Sequence, residues 1–277
     1  MTDSTAPDFL GMLDADTQLE AVIFECLASG IDDGRVASLM AVDGWGDDFD
    51  CFAVGGTTRD TTRGAAGGRR DAADAQVRTA ISLTHSCVRD LGGGQVIAGT
   101  RDGHLVALVR RQGAATPEVT CTAMSAAFDD GRPLCLGPTR HGVVGAAETV
   151  RAVLYSLAAA PAMTGTRLPR PMRADDVLPE RALLGDEAAR RELVDVVYAS
   201  LAAAGPDDPT MATVAAFLDS GNSLEATAKE LNVHPNTVRY RLKRAAESTG
   251  WDATDPREAY VLTTAIALGR IHNHAAA

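Results

Sequence analysis

The chain has 277 residues, 45% of them hydrophobic and 23% charged, a balance that fits a soluble globular protein with room for two domains. No apolar run reaches membrane-spanning length, and MTDSTAPDFLG at the start lacks the basic and apolar regions of a signal peptide, so a cytoplasmic location without a membrane partner is expected. The net charge of −11 is unevenly placed: residues 1–50 carry twelve acids and one base, and the remainder holds 25 of each sign.

Helical apolar spacing covers 9–29 and stops at Gly30, and a shorter helix is expected over 35–45. Together they make 1–50 an acidic helical segment. Its Asp43, Asp47, Asp48 and Asp50 raise the further reading that this segment docks on a basic surface and competes with DNA. DCFAVGG (50–56) reads as a buried strand, and TTRDTTRGAAGGRR (57–70) as a solvated surface loop. A helix follows over 71–91. QVIAGTRDGHLVALV (95–109) holds two β-rich runs around Asp102-Gly103, the pair that suits a tight hairpin. Then come a helix at 117–129, a strand at 133–137 and a helix at 143–160. This order predicts an α+β domain over 51–160, an antiparallel sheet with helices on one face.

Four prolines and no periodicity place a linker at 161–180. Beyond it, 181–277 reads as an all-α domain, with helices at 186–204, 210–219, 223–231, 235–249 and 256–271. The five cysteines (Cys26, Cys51, Cys87, Cys121, Cys135) form no CxxC pair, so reduced core thiols are expected rather than disulfides or a metal site, and no cofactor is expected.

The function-bearing stretch is GNSLEATAKELNVHPNTVRYRLKRAAESTG, 221–250. Asn222 with Glu225 reads as a capping pair for a first helix. Asn232 suits a sharp left-handed turn, Val233 drops into the core, and Pro235 fits the first position of a second helix that ends at Gly250. This is helix-turn-helix spacing. On the second helix Val238, Leu242 and Ala245 form the buried stripe, and Asn236, Thr237, Arg239, Tyr240, Lys243 and Arg244 face outwards. Arg241 leans towards the stripe and is expected to pair within the domain. Val233–Ala246 holds four bases and no acid, and no acidic partner is expected at i±4 of Arg239 or Lys243. The abrupt start at Pro235 is expected to leave the first N–H groups of the helix open to phosphate.

Double-stranded DNA is the partner this chemistry fits. Asn236, Thr237 and Arg239 are the candidates for base edges. Ser223, His234, Tyr240, Lys243 and Arg244 are the candidates for the phosphate backbone, around a turn that Pro235 completes. One motif covers few base pairs, so a homodimer or higher homo-oligomer is expected.

Asn232–Arg244, with SLEATAKEL before it and STGWDATDPREAYVLTTAIAL after it, resembles the C-terminal helix-turn-helix of the PucR/CdaR family of bacterial transcription regulators. The shared positions are Ala226, Ala228, Leu231, Val233, His234, Asn236, Thr237, Val238, Arg239, Tyr240, Arg241, Leu242, Gly250, Asp255 and Pro256; Pro235 departs, since many relatives carry a base there. Upstream, IAGTRDGHLVAL and LCLGPTRHGVVGAAETVRAVLYSL look like the degenerate GGDEF-type sensory domain that often precedes this module. The resemblance implies regulation through an effector or partner at the N-terminal domain. Where an active cyclase carries its signature, this chain has Thr100-Arg101-Asp102-Gly103-His104, without the paired carboxylates that would hold magnesium, so no cyclase activity is expected.

Two other readings compete: a nucleotide-handling enzyme of the cyclase type, and a protein-binding module whose basic helix meets an acidic surface. His85 and His104 read as structural or solvent-facing, Arg140 and His141 as an ordinary loop, and His272 and His274 as a frayed tail.

Overall fold

The computed structural model describes residues 15–59, 69–163, 168–203, 205 and 207–276. Residues 9–14 of the first expected helix, most of the 57–70 loop and 164–167 of the expected linker lie outside them. The chain divides into two compact units, Met1–Val177 and Leu178–Ala277.

The first unit runs α1 (Ala15–Ala28), α2 (Gly34–Val42), β1 (Asp50–Gly56), α3 (Arg69–Asp90), β2 (Val96–Arg101), β3 (His104–Arg110), α4 (Pro117–Met124), β4 (Leu134–Leu136), β5 (Arg140–His141), α5 (Gly142–Ala159) and β6 (Met172–Arg173). The sheet order is β2-β3-β1-β4-β6, with β5 also pairing the start of β1. The β2–β3 hairpin turns at Asp102 and Gly103, both with positive φ (52° and 78°), as the two-residue turn requires.

Strand alternation sorts the core into two layers. Val106 and Leu108 of β3 face α1, α2 and α5 together with Ile97 and Cys135, whereas Leu105, Ala107 and Val109 face α3 and α4. Helices therefore cover both faces, which corrects the one-sided expectation. A strand buried on both faces needs an unbroken apolar run, as CFAVGG and LVALV supply, instead of apolar–polar alternation.

The sheet is also mixed, because β6 runs parallel to β4, with Cys135 opposite Met172. That strand lies inside the stretch expected to be linker. The unit boundary falls after Val177, so 172–177 is part of the first unit despite Pro169 and Pro171 just before it.

Residues 15–50 of the expected acidic segment are likewise no separate body. Ile23, Phe24 and Leu27 of α1 and Val36 and Met40 of α2 are fully buried in the same core, each worth about 1.5–3 kcal/mol. Two of its acids have partners in the same unit: Trp45 Nε1 donates to Asp43, and His141 Nδ1 lies 3.1 Å from Asp50. These contacts supply a structural reason for Asp43 and Asp50 within their own unit.

The 21-residue stretch Gly142–Ala162 is the one helix among the described residues long and apolar enough to cross a membrane. Val150, Val153 and Leu157 of α5 pack it into the core instead. Gly55 permits the close approach: a Cβ there would lie 2.6 Å from Val153 and 2.8 Å from Val106. Cys51, Cys121 and Cys135 are buried and none of the five cysteines is in a disulfide; burial pushes Cys51 and Cys121 up to about 12.

The second unit is helical: α6 (Leu178–Leu183), α7 (Glu187–Arg191) continuing through a π-type stretch (Glu192–Tyr198) into α8 (Ala199–Ala202), then α9 (Pro209–Asp219), α10 (Leu224–Glu230), α11 (Pro235–Thr249) and α12 (Pro256–Ala276). A single core joins them, including Leu178, Leu193, Val214, Phe217, Val238, Leu242 and Leu262. Arg181 and Asp186 form a buried ion pair, 2% and 1% exposed, at 2.8 Å. Asp186 also accepts from Ala188 N and Ala189 N and so caps α7.

Candidate nucleic-acid interface

α10 and α11 meet through a tight turn that the sequence dictates residue by residue. Val233 N donates to Ala228 O at 2.9 Å and Asn232 N to Lys229 O at 3.3 Å, with Asn232 at φ 50°. This is the Schellman pattern, with Asn in the place usually held by glycine. Val233, the next residue, packs against the core. The first helix is capped differently from expectation. Ser223, not Asn222, caps α10 by accepting from Ala226 N at 3.2 Å, and Asn222 instead takes a left-handed turn position at φ 64°.

α11 spans the expected residues and stops at Gly250, φ 79°. Val238, Leu242 and Ala245 are buried, so the helix rotation is fixed and the remaining faces are set. Asn236, Arg239, Tyr240, Lys243 and Arg244 are exposed, Tyr240 by 68%, and Thr237 is half-buried. Arg239 Nη1 donates to Asn236 Oδ1 at 2.9 Å, which sets the amide and the guanidinium side by side one turn into the helix.

The start of α11 is more occupied than expected. His234 is its N-cap: its Nδ1 accepts from Asn236 N at 3.1 Å, and its carbonyl accepts from Thr237 N at 2.8 Å. Those N–H groups are therefore not open to phosphate. An Nδ1 that accepts puts the ring proton of neutral His234 on Nε2, which makes the exposed imidazole a donor.

The basic residues divide into tethered and outward groups. Arg241 is half-buried and donates from Nη1 to Thr213 Oγ1 at 3.1 Å, the internal pairing expected for it. Arg244 Nη1 lies 3.0 Å from Asp208 Oδ2, and Asp208 caps α9 by accepting from Thr210 N at 2.8 Å. Hydrogen bonding from Thr210, then the charge of Arg244, holds the Asp208 carboxyl below the usual range. Both arginines thus fasten α11 to the N-terminal half of α9. Lys243 does have an acidic i+4 neighbour, Glu247, with Nζ–Oε1 at 3.8 Å, contrary to expectation. Both side chains are largely exposed, and a pair of this kind is weak.

Two residues escaped the sequence reading. Asp208 sits in DDPT, an Asp-Pro helix start that signals a cap, but its ion pair depends on the α9–α11 packing and has no local signature. Lys229 lines a groove between α10 and α11 with Asn232, His234 and Pro235. Its place at i+5 before His234 carries no motif.

Comparison with known proteins follows the same division. A family model of the GGDEF-like domain matches residues 21–159, and one of the PucR C-terminal helix-turn-helix domain matches 210–268. The chain belongs to the PucR family. A crystal structure of the regulator of polyketide synthase expression from Bifidobacterium adolescentis superposes with a TM-score of 0.84. It is 52% identical, and the match covers 95% of this chain and 96% of that one. Uncharacterized proteins of Mycobacterium bovis and Mycobacterium tuberculosis are 41% identical over 188 residues, 67% of this chain but 44% of their own length. The chain therefore aligns with less than half of these curated relatives. The GGDEF-like match begins at residue 21, inside α1, which agrees with the packing of α1 into the sheet domain rather than ahead of it.

Proposed function

We propose that this PucR-family protein is a DNA-binding transcription regulator whose α11 enters the major groove. The observation that carries the reading is the polar face of α11. It presents Asn236, Arg239, Tyr240 and Lys243 outwards from a helix whose rotation is locked by Val238, Leu242 and Ala245.

Asn236, Thr237 and Arg239 contact base edges, the amide suited to adenine and the guanidinium to guanine. Ser223 through its hydroxyl proton, His234 through Nε2–H, Tyr240 and Lys243 meet phosphates, with Pro235 shaping the turn and Lys229 adding a cation from α10. Arg244 reaches a phosphate only from its tether to Asp208, so its main work is to position α11. Two copies bind repeated half-sites as a homodimer or higher oligomer, in the cytoplasm, and the first unit supplies control through a small effector. The hairpin of the first unit carries Arg101, Asp102 and Gly103 in place of paired carboxylates, which supports a regulatory rather than a catalytic role.

The name of the Bifidobacterium relative supports control of expression as the output. The test is an anisotropy titration of the full chain with the DNA upstream of its own gene and with shuffled DNA of the same composition. Preference for the native sequence that survives rising salt supports the reading, and equal salt-sensitive binding to both contradicts it.

A further inference from the structure

The sequence has 26 lysines and arginines, and only two of them, Lys229 and Lys243, are lysines. Both fall in the helix-turn-helix, Lys229 in the last turn of α10 and Lys243 midway along α11. The difference is chemical. A guanidinium stays charged throughout the physiological pH range and resists acylation, whereas the ε-amine of lysine is a nucleophile once it sheds its proton. Apart from the α-amino end, the chain therefore offers stable N-acylation at two side chains. Both stand on the surface proposed to meet DNA.

Neither lysine holds that surface in shape. Lys229 is exposed, and its ammonium group has no partner among the described residues. Lys243 is 78% exposed, and its pairing with Glu247 is loose, at 3.8 Å between two solvated side chains. Other residues fix the rotation of α11, Val238, Leu242 and Ala245 through burial and Arg241 and Arg244 through their tethers to Thr213 and Asp208. The cations that fasten the motif are thus arginines. The two that acylation can neutralise are not needed for the fold.

We propose that Lys229 and Lys243 are acylation sites and that their acylation, by an acyl phosphate or an acyl thioester, releases the protein from DNA. The free amine adds to the acyl carbonyl, and the C–O or C–S bond to the leaving group breaks as the amide forms. The amine proton departs with the phosphate or the thiol. Each amide is neutral, so two events remove two positive charges from the interface. A surface that met phosphates through arginine alone would lack this control. The effect on DNA rests on the regulator reading above; the acyl transfer does not.

The full chain is treated with acetyl phosphate in one arm and acetyl coenzyme A in the other, then with hydroxylamine, which strips esters and thioesters. Peptide mass spectrometry is expected to find acetyl groups on Lys229 and Lys243 of the folded chain, and the arm that shows them names the donor. Neither lysine modified in either arm would overturn the sites. DNA affinity is then read by anisotropy over a salt series, with the DNA upstream of the chain's own gene. Acetylation of both lysines is expected to lower the salt slope by about 2 and the affinity by about tenfold near physiological salt, at an unchanged melting temperature. The double variant Lys229→Arg, Lys243→Arg keeps both charges and offers no side-chain amine, and is expected to hold its own affinity through the same treatment. An affinity and slope unmoved by acetylation, or an equal loss in the double variant, would overturn the switch. A chain that is acetylated at both lysines but prefers no DNA sequence before treatment would count against the regulator reading alone.

Discussion

Arg181 and Asp186 show how much depends on single side chains. Removing Asp186 takes from Arg181 a buried ionic partner and from α7 its cap, so Asp186→Ala is expected to cost the second unit about 3–5 kcal/mol in urea unfolding. Arg181→Met with Asp186→Leu, which removes both charges, is expected to recover most of that loss. His85 and His104 make a second test. Burial lowers both pKa values, for His104 against a smaller opposing pull from Asp102. The unfolded rings titrate at about 6.5 and take up protons that the native rings refuse. Stability of the first unit is therefore full above that pH and falls as pH drops through the window below it. Melting curves between pH 7.5 and 5.5 are expected to show the decline, and a His85→Gln, His104→Gln variant to flatten it. None of this was legible in the sequence, where both histidines read as ordinary, because the cause is burial by elements distant in the chain.

Helix-level features were the most legible, since caps and turns are local. Pro235, Asn232 and Gly250 announced the bounds of α11, and the Val238, Leu242, Ala245 spacing announced its buried face. The left-handed backbone at Asn232 gives a direct check. Asn232→Gly is expected to leave stability nearly unchanged, whereas Asn232→Val is expected to cost about 1–2 kcal/mol in thermal unfolding, because a branched Cβ clashes in that conformation. The sequence was less informative where two elements meet. Arg244 read as a phosphate ligand alone, and its tether to Asp208, thirty-six residues away, left no mark in the sequence. Lys243→Ala is accordingly expected to lower the salt slope of DNA binding by about 1, and Arg244→Ala to loosen α11 with a smaller change of slope. Equal slopes for the two variants, measured by anisotropy over a salt series, would show that the tether does not divide them.

Across the molecule, the order of elements in the first unit was readable, but its layering was not. The unbroken apolar runs of β1 and β3 hold the information that both faces are covered, yet a run of that length also fits a single covered face with a few exposed apolar residues. Prolines drew the linker too early, because β6 is a two-residue strand with no periodicity to detect. The uneven placing of charge, by contrast, was legible in the sequence. The acids of 1–50 belong to a segment whose apolar residues complete the sheet domain, while the chemistry proposed to face DNA sits in a locally basic helix of the other unit.

The central claim is that α11 reads bases through Asn236 and Arg239 rather than merely attracting a polyanion. It is tested most directly by measuring wild type and Arg239→Ala on the preferred site and on every single-base variant of it. The account predicts that Arg239→Ala loses discrimination at one base pair, by about 1–3 kcal/mol, and keeps it elsewhere. An equal loss on every variant, with the pattern of preference unchanged, would contradict it.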